Sequence, residues 1–220
     1  MNDLLYHAKN LSKSFGAISV LRDLNFAAAR NKTHVIIGRS GSGKSTLLSL
    51  LAGLDRPTSG TIEFDGAALE TRCNEELAQL RREKIGIIFQ SFNLLPSWTA
   101  VENVEAVLMH SDIAPDARRK KAVALLSELG LGDRLNNLPA ELSVGQQQRV
   151  AVARTLVNDP KVILADEPTG DVDPELGIEV IKRLVACVKS NGTTLIIATH
   201  GLFPLEYADK VWELKDGKLQ

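Results

Sequence analysis

Four short runs built almost wholly of β-branched and other apolar residues set the frame: 33–38 (THVIIG), 84–89 (KIGIIF), 161–165 (KVILA) and 194–198 (TLIIA). A strand with one wet face alternates apolar and polar residues. A run without that alternation belongs to a strand buried on both faces, as in a parallel sheet covered by helices. Helical patterns lie between the runs, among them 44–52, 174–189 and the stretch after Ser143. That order predicts an α/β core with right-handed crossovers. Residues 1–30 and 60–66 alternate polar and apolar residues between turn glycines, so they read as antiparallel strands, an edge layer on the core. Residues 91–157 are strand-poor. They carry helical patterns over 100–110 and 117–129, the latter with Val123, Leu126 and Leu129 on one stripe. The expectation is one domain over 1–220: core and β layer from 1–90 and 158–220, with an inserted helical subdomain over 91–157.

Composition narrows the classes of function. Lys and Arg number 26 and Asp and Glu 27, a net charge of −1, which argues against wholesale electrostatic capture of nucleic acid or anionic lipid. No stretch approaches the roughly 18 apolar residues of a membrane span, and the longest, 47–54, is broken by Ser49 and Gly53. The N-terminus carries an early Asp3 and no readable secretory signal. Cys73 and Cys187 lie too far apart in sequence for a metal cluster or a disulfide framework and read as reduced thiols. The basic run Arg118 to Lys121 reads as a solvated helix face. Any contact with a membrane is expected to come through a partner, without direct insertion.

The chemistry begins after the first run. Gly38-Arg-Ser-Gly-Ser-Gly-Lys44-Ser45-Thr46 satisfies G-x-x-x-x-G-K-[S/T], with a strand before it and a helix after it. Gly38, Gly41 and Gly43, with Ser40 among them, let the loop curl so that backbone N–H groups face phosphate oxygens, and the following helix adds its positive end. Lys44 would supply a point charge between β- and γ-phosphates, and Ser45 Oγ a ligand for Mg²⁺. This motif points to a nucleoside triphosphate. A second apolar strand delivers Asp166 and Glu167 to its carboxyl end, where α/β folds place ligands. Asp166 can hold Mg²⁺ through water, and Glu167 can act as general base toward an attacking water. A third piece, Leu142-Ser143-Val144-Gly145-Gln146, reads as a capping box that opens a helix with free N–H groups, a ready phosphate site.

Together these pieces resemble the ATP-binding cassette of ABC transporters over nearly the whole chain. The resemblance implies a P-loop NTPase (RecA-like) α/β core with an antiparallel β edge layer and an inserted α-helical subdomain. It implies that two cassettes pack head to tail, each ATP lying between the 38–46 loop, with Thr46, of one copy and Ser143, Gly145 and Gln146 of the other. Phe15 is similar to the aromatic that stacks on adenine, where Tyr is commoner. Gln90 resembles the glutamine-loop residue that ligates Mg²⁺, His200 the switch histidine on the γ-phosphate, and Val172-Asp173 the loop that reaches the partner cassette. Three departures stand out: Val144 where Gly is usual, Gly201 in place of Asp, and Asp171 where Asn is common.

Residues 80–82, 85–96, 99–104 and 165–170 resemble the branch of lipoprotein-releasing systems, macrolide, antimicrobial-peptide and haem exporters, and the cell-division cassette. That implies an ATPase on the cytoplasmic face of the membrane, driving a transmembrane permease in export. The alternative within the branch is activation of a cell-wall enzyme without transport. Residues 90–98, with Phe92, Leu94, Leu95 and Trp98, are the expected dock for the permease. A cassette of translation or DNA repair would carry twin cassettes or a coiled-coil insertion, and a P-loop kinase would have no use for Ser143 to Gln146.

Overall fold

A computed structural model of the chain describes residues 3–169, 174–200 and 203–220, with the backbone alone at 174–176, 180 and 187. The chain opens with a long hairpin, β1 (Leu4–Phe15) and β2 (Ile18–Ala29), then runs through β3 (Thr33–Ile37) into α1 (Lys44–Leu51). Next come β4 (Ser59–Phe64), β5 (Ala67–Ala68), α2 (Asn74–Lys84) and β6 (Ile85–Ile88). Three helices follow, α3 (Ala100–Glu105), α4 (Pro115–Glu128) and α5 (Val144–Leu156), before β7 (Val162–Asp166). The last elements are α6 (Pro174–Ser190), β8 (Thr194–Thr199), β9 (Lys210–Lys215) and β10 (Lys218–Leu219).

The four apolar runs all become strands of one six-stranded sheet in the order β10-β9-β3-β8-β7-β6. Its members are parallel except β10, which turns back on β9. The lack of alternation in the runs has its physical reason in two cores, one on each face. Ile36, Leu164 and Ile196 enter the core shared with β1, β2, β4 and α1. Their sequence neighbours Val35, Ile163 and Ile197 enter the core built with α3, α4, α5 and α6. The α/β class expected from the runs is the class found.

The antiparallel strands form a sheet of their own, β2-β1-β4-β5, the layer expected on the core. The hairpin β2 is tied to the turn before β10 by Arg22 N–H donating to Gly217 O at 2.9 Å. Residues 91–157 hold helices and no strand among the described residues. The pattern over 100–110 is α-helical only to Glu105 and tightens into a 3-10 turn at Ala106–Leu108, closed by Ser111, whose hydroxyl donates to Leu108 O at 2.7 Å. The pattern over 117–129 starts earlier, at Pro115, where proline's missing N–H costs nothing.

Candidate functional site

The 38–46 loop joins the carboxyl end of β3 to α1, and its glycines are needed for different reasons. A Cβ on Gly38 would lie 2.5 Å from Leu214 O on β9, so that position is closed by space. Gly41 has φ +77° with nothing near it, so there only backbone conformation demands glycine. Gly43, the N-cap of α1 at φ +104°, is constrained both ways: its Cβ would meet Leu21 Cδ2 at 2.9 Å. No side chain caps α1 and no acidic residue sits in its first turn, so its N–H groups and positive end are left for an anion. Ser40 and Ser45 are exposed, and Thr46 is half-buried.

Lys44 is buried and folds back on the loop. Its Nζ donates to Gly38 O at 2.8 Å and Arg39 O at 3.2 Å, and lies 3.4 Å from Glu167 Oε1. The parallel pairing of β7 with β8 sets Asp166 opposite Ala198, and Glu167 N–H donates to Ala198 O at 2.9 Å. That register brings the residue after β8 onto Glu167: Oε2 accepts from His200 N–H at 3.2 Å and lies 2.8 Å from His200 Nδ1. Glu167 is itself buried, with φ 45°. Three chain segments thus meet at one sheet edge, and the glutamate is held by the lysine on one oxygen and the histidine on the other.

Asp166 lies beside Ser45. Burial pushes its carboxyl above the usual carboxylate range; the Ser45 hydrogen bond and the charge of Lys44 pull down, while Glu167 pushes up. Its Oδ1 is buried with no hydrogen-bond partner. An orphaned carboxylate oxygen next to a hydroxyl is a hard-oxygen pair that a magnesium ion fits. Among the described residues no group of three or more His, Cys, Asp or Glu could hold a metal by itself.

Gln90 stands exposed two residues beyond β6, at the same sheet edge, because Ile88 pairs with Ala165. Among the described residues no hydrogen bond joins it to the Lys44–Glu167 cluster. Ser143, Gly145 and Gln146 form the N-terminus of α5, and the expected capping box is present: Ser143 N–H donates to Gln146 Oε1 at 2.9 Å, and Gln146 N–H to Ser143 Oγ at 3.3 Å. No described bond joins them to the 38–46 loop. Val144 on this helix tip is 45 % exposed. Phe15, 52 % exposed, sits at the end of the β1–β2 hairpin. The expectations placed on Asp171, Val172-Asp173 and Gly201 lie outside the described residues.

Two residues at the site's margins escaped the sequence reading. Lys13 is buried and lies against Phe15, and its signal was a cation inside the alternation Leu11–Lys13–Phe15. Arg154 donates from Nη1 to Asn93 O at 2.6 Å and from Nη2 to Phe92 O at 2.5 Å, fixing the turn after Gln90. Its signal was a lone charge in the apolar run 150–157. The apolar set expected to form a dock divides: Phe92 is buried, Leu94 packs against the helical core, and Leu95 is exposed.

Comparison with known proteins gives a consistent picture. The family model described as ABC transporter matches residues 21–170. An uncharacterized ABC transporter ATP-binding protein of Thermotoga maritima is 44 % identical over 92 % of this chain and 86 % of its own length. The macrolide export ATP-binding/permease protein MacB of Shewanella sp. W3-18-1 is 47 % identical over 91 % of this chain, which spans only 31 % of that protein. Among solved structures, the dimeric post-hydrolysis state of the ATP-binding cassette MJ0796, bound to ADP and Pi, is 37 % identical with a TM-score of 0.89 over 98 % of this chain and 96 % of that one.

Proposed function

The chain belongs to the ABC transporter family of ATP-hydrolysing cassettes, and from that premise we propose that two copies of it close on two ATP molecules to drive a membrane permease in export. The observation that carries the proposal is the convergence of Lys44, Asp166, Glu167 and His200 at the mouth of a glycine loop that ends in an uncapped helix. In this reading the 38–46 backbone and the positive end of α1 hold the triphosphate, with Phe15 under the base. Lys44 leaves the Gly38 and Arg39 carbonyls and Glu167 for phosphate oxygens. Ser45 and Asp166 would hold magnesium, with Gln90 reaching in from the neighbouring strand end; bound there, the ion supplies neutralisation of phosphate charge. Glu167, released by Lys44 and still oriented by His200, takes the proton of the attacking water. Ser143, Gly145 and Gln146 of the second copy close the site from the other side, and the dimeric MJ0796 cassette supports that arrangement.

The permease reading draws support from the MacB relatives, whose names join a cassette to a permease. No helix among the described residues is long and apolar enough to cross a membrane. In this reading the cassette acts at the cytoplasmic face, held there by its permease partner. A groove of about 310 Å³ lined by Leu54, Arg81, Ile87, Val107 and Arg154 would seat the permease segment. Residues 1–90 and 158–220 would then act as the core, and 91–157 as the lobe that swings.

Glu167→Gln tests the centre of this proposal. Turnover should fall by about 10²–10⁴ with nucleotide binding kept, and the variant should elute as a dimer with magnesium and ATP. Near-normal hydrolysis would remove Glu167 from the chemistry. A strictly monomeric variant at every concentration would overturn the paired site.

A further inference from the structure

The cation above Phe15 is unusually well held. Lys13 Nζ lies 4.7 Å from the centroid of the Phe15 ring, donates to Asp55 Oδ1 at 2.7 Å and donates to Arg56 O at 2.8 Å. The lysine side chain is only 11 % exposed, whereas the ring it covers is 52 % exposed. The hydrogen bond from Lys13 holds the Asp55 carboxyl below its ordinary range despite the opposing effect of burial. Asp55 and Arg56 lie just past α1, and Ser14 N–H donates to Thr58 Oγ1 at 3.0 Å, so this segment grips β1 immediately before Phe15. On the other strand, Lys13 pairs in register with Leu21, and Leu21 and Val20 are the side chains that close on Gly43. The start of α1 and the segment after it therefore meet one stretch of the β1–β2 hairpin: Gly43 packs under Leu21 of β2, and Asp55 binds Lys13 of β1.

We propose that Lys13 is a positioning residue for nucleobase binding, locking the Phe15 ring from behind so that its open face is a fixed platform for a purine. This rests on the nucleotide reading above. A cation against one face draws electron density from the ring and immobilises it. An electron-poor, immobile ring stacks better on an electron-rich purine, and the ordering cost of the ring is met before the ligand arrives. Lys13 takes no part in holding phosphate, because its ammonium is engaged by Asp55, the Arg56 carbonyl and the ring.

The test compares ATP with inorganic tripolyphosphate, binding each to Lys13→Met, Lys13→Arg and Phe15→Ala by calorimetry, with magnesium. Lys13→Met should bind ATP about twofold to tenfold more weakly, the ordering cost of one side chain that must then be met on binding, while tripolyphosphate binding holds. Lys13→Arg, which keeps a cation over the ring, should recover most of the ATP affinity. Equal loss for both ligands would make Lys13 a support of the phosphate loop and overturn the proposal. So would unchanged ATP binding in Lys13→Met while Phe15→Ala loses it. If Phe15→Ala binds ATP as well as the wild type, the stacking role of Phe15 fails, and the proposal fails with it. If no variant and no wild type binds tripolyphosphate or ATP, the nucleotide reading itself falls.

Discussion

Asp166 and Glu167 are neighbours in sequence with opposite surroundings. Glu167 has two partners in the nucleotide-free chain, Lys44 and His200, so its charge is compensated before any ligand is present. Asp166 has an oxygen without a partner and a carboxyl pushed up by burial. A carboxyl whose value is raised by folding favours the fold only at low pH; as pH rises through the raised value that advantage turns into a cost. At neutral pH the ionised Asp166 should therefore weaken the empty protein. Asp166→Asn is expected to raise the thermal midpoint by a few degrees while abolishing the gain that magnesium and ATP give the wild type. A lower midpoint in scanning calorimetry would show that the carboxylate is compensated in a way the geometry does not contain. The adjacency of the two acids was plain in the sequence, and so was the lysine of the glycine loop. Their pairing was not, because it depends on the registers of β8 against both β3 and β7, which no local pattern encodes.

Among the elements, α5 links the two parts of the chain. Its N-terminus is capped by Ser143, and near its other end Arg154 holds the carbonyls of Phe92 and Asn93, two residues with positive φ (59° and 48°). Burial pulls the Arg154 guanidinium below its usual range, yet charge-assisted bonds to two carbonyls keep it in place. Loss of those bonds should cost about 1.5–3 kcal/mol and free the turn that follows Gln90. Arg154→Lys cannot span both carbonyls with one ammonium. It is expected to raise hydrogen exchange across 90–95 while leaving β7 and β8 protected; unchanged exchange there would show that the turn holds itself. Elements of this kind divide sharply in legibility. The buried strands, α1 and the capped α5 were readable because period, glycine pattern and cap agree in each. By contrast α2 buries only Leu77 and Leu80, and β9 reads Lys-Val-Trp-Glu-Leu-Lys, so neither carries an apolar stripe strong enough to announce it. Their places are set by the surfaces they meet.

For the molecule as a whole, the parallel sheet is the shared wall of two cores, and His34 sits in that wall at 4 % exposure. Burial pulls its imidazole below 6.5; the Ala29 carbonyl and Asp209 oppose that shift, while Lys210 and Lys32 add to it. The unfolded chain takes up this proton first, so stability present above about pH 6.5 should be lost as pH falls toward the lowered value. The thermal midpoint is expected to drop by a few degrees from pH 7.5 to about 5.5, and His34→Gln should flatten that slope. An equal slope in the variant would assign the loss to other groups. The same wall has a consequence for synthesis. The strand that delivers the glycine loop, β3, is flanked by β8 and β9, and Leu214 O walls Gly38. A nascent chain therefore carries the whole 38–46 loop long before the strands that frame it have left the ribosome. The frame around that loop is complete only once residue 215 has emerged.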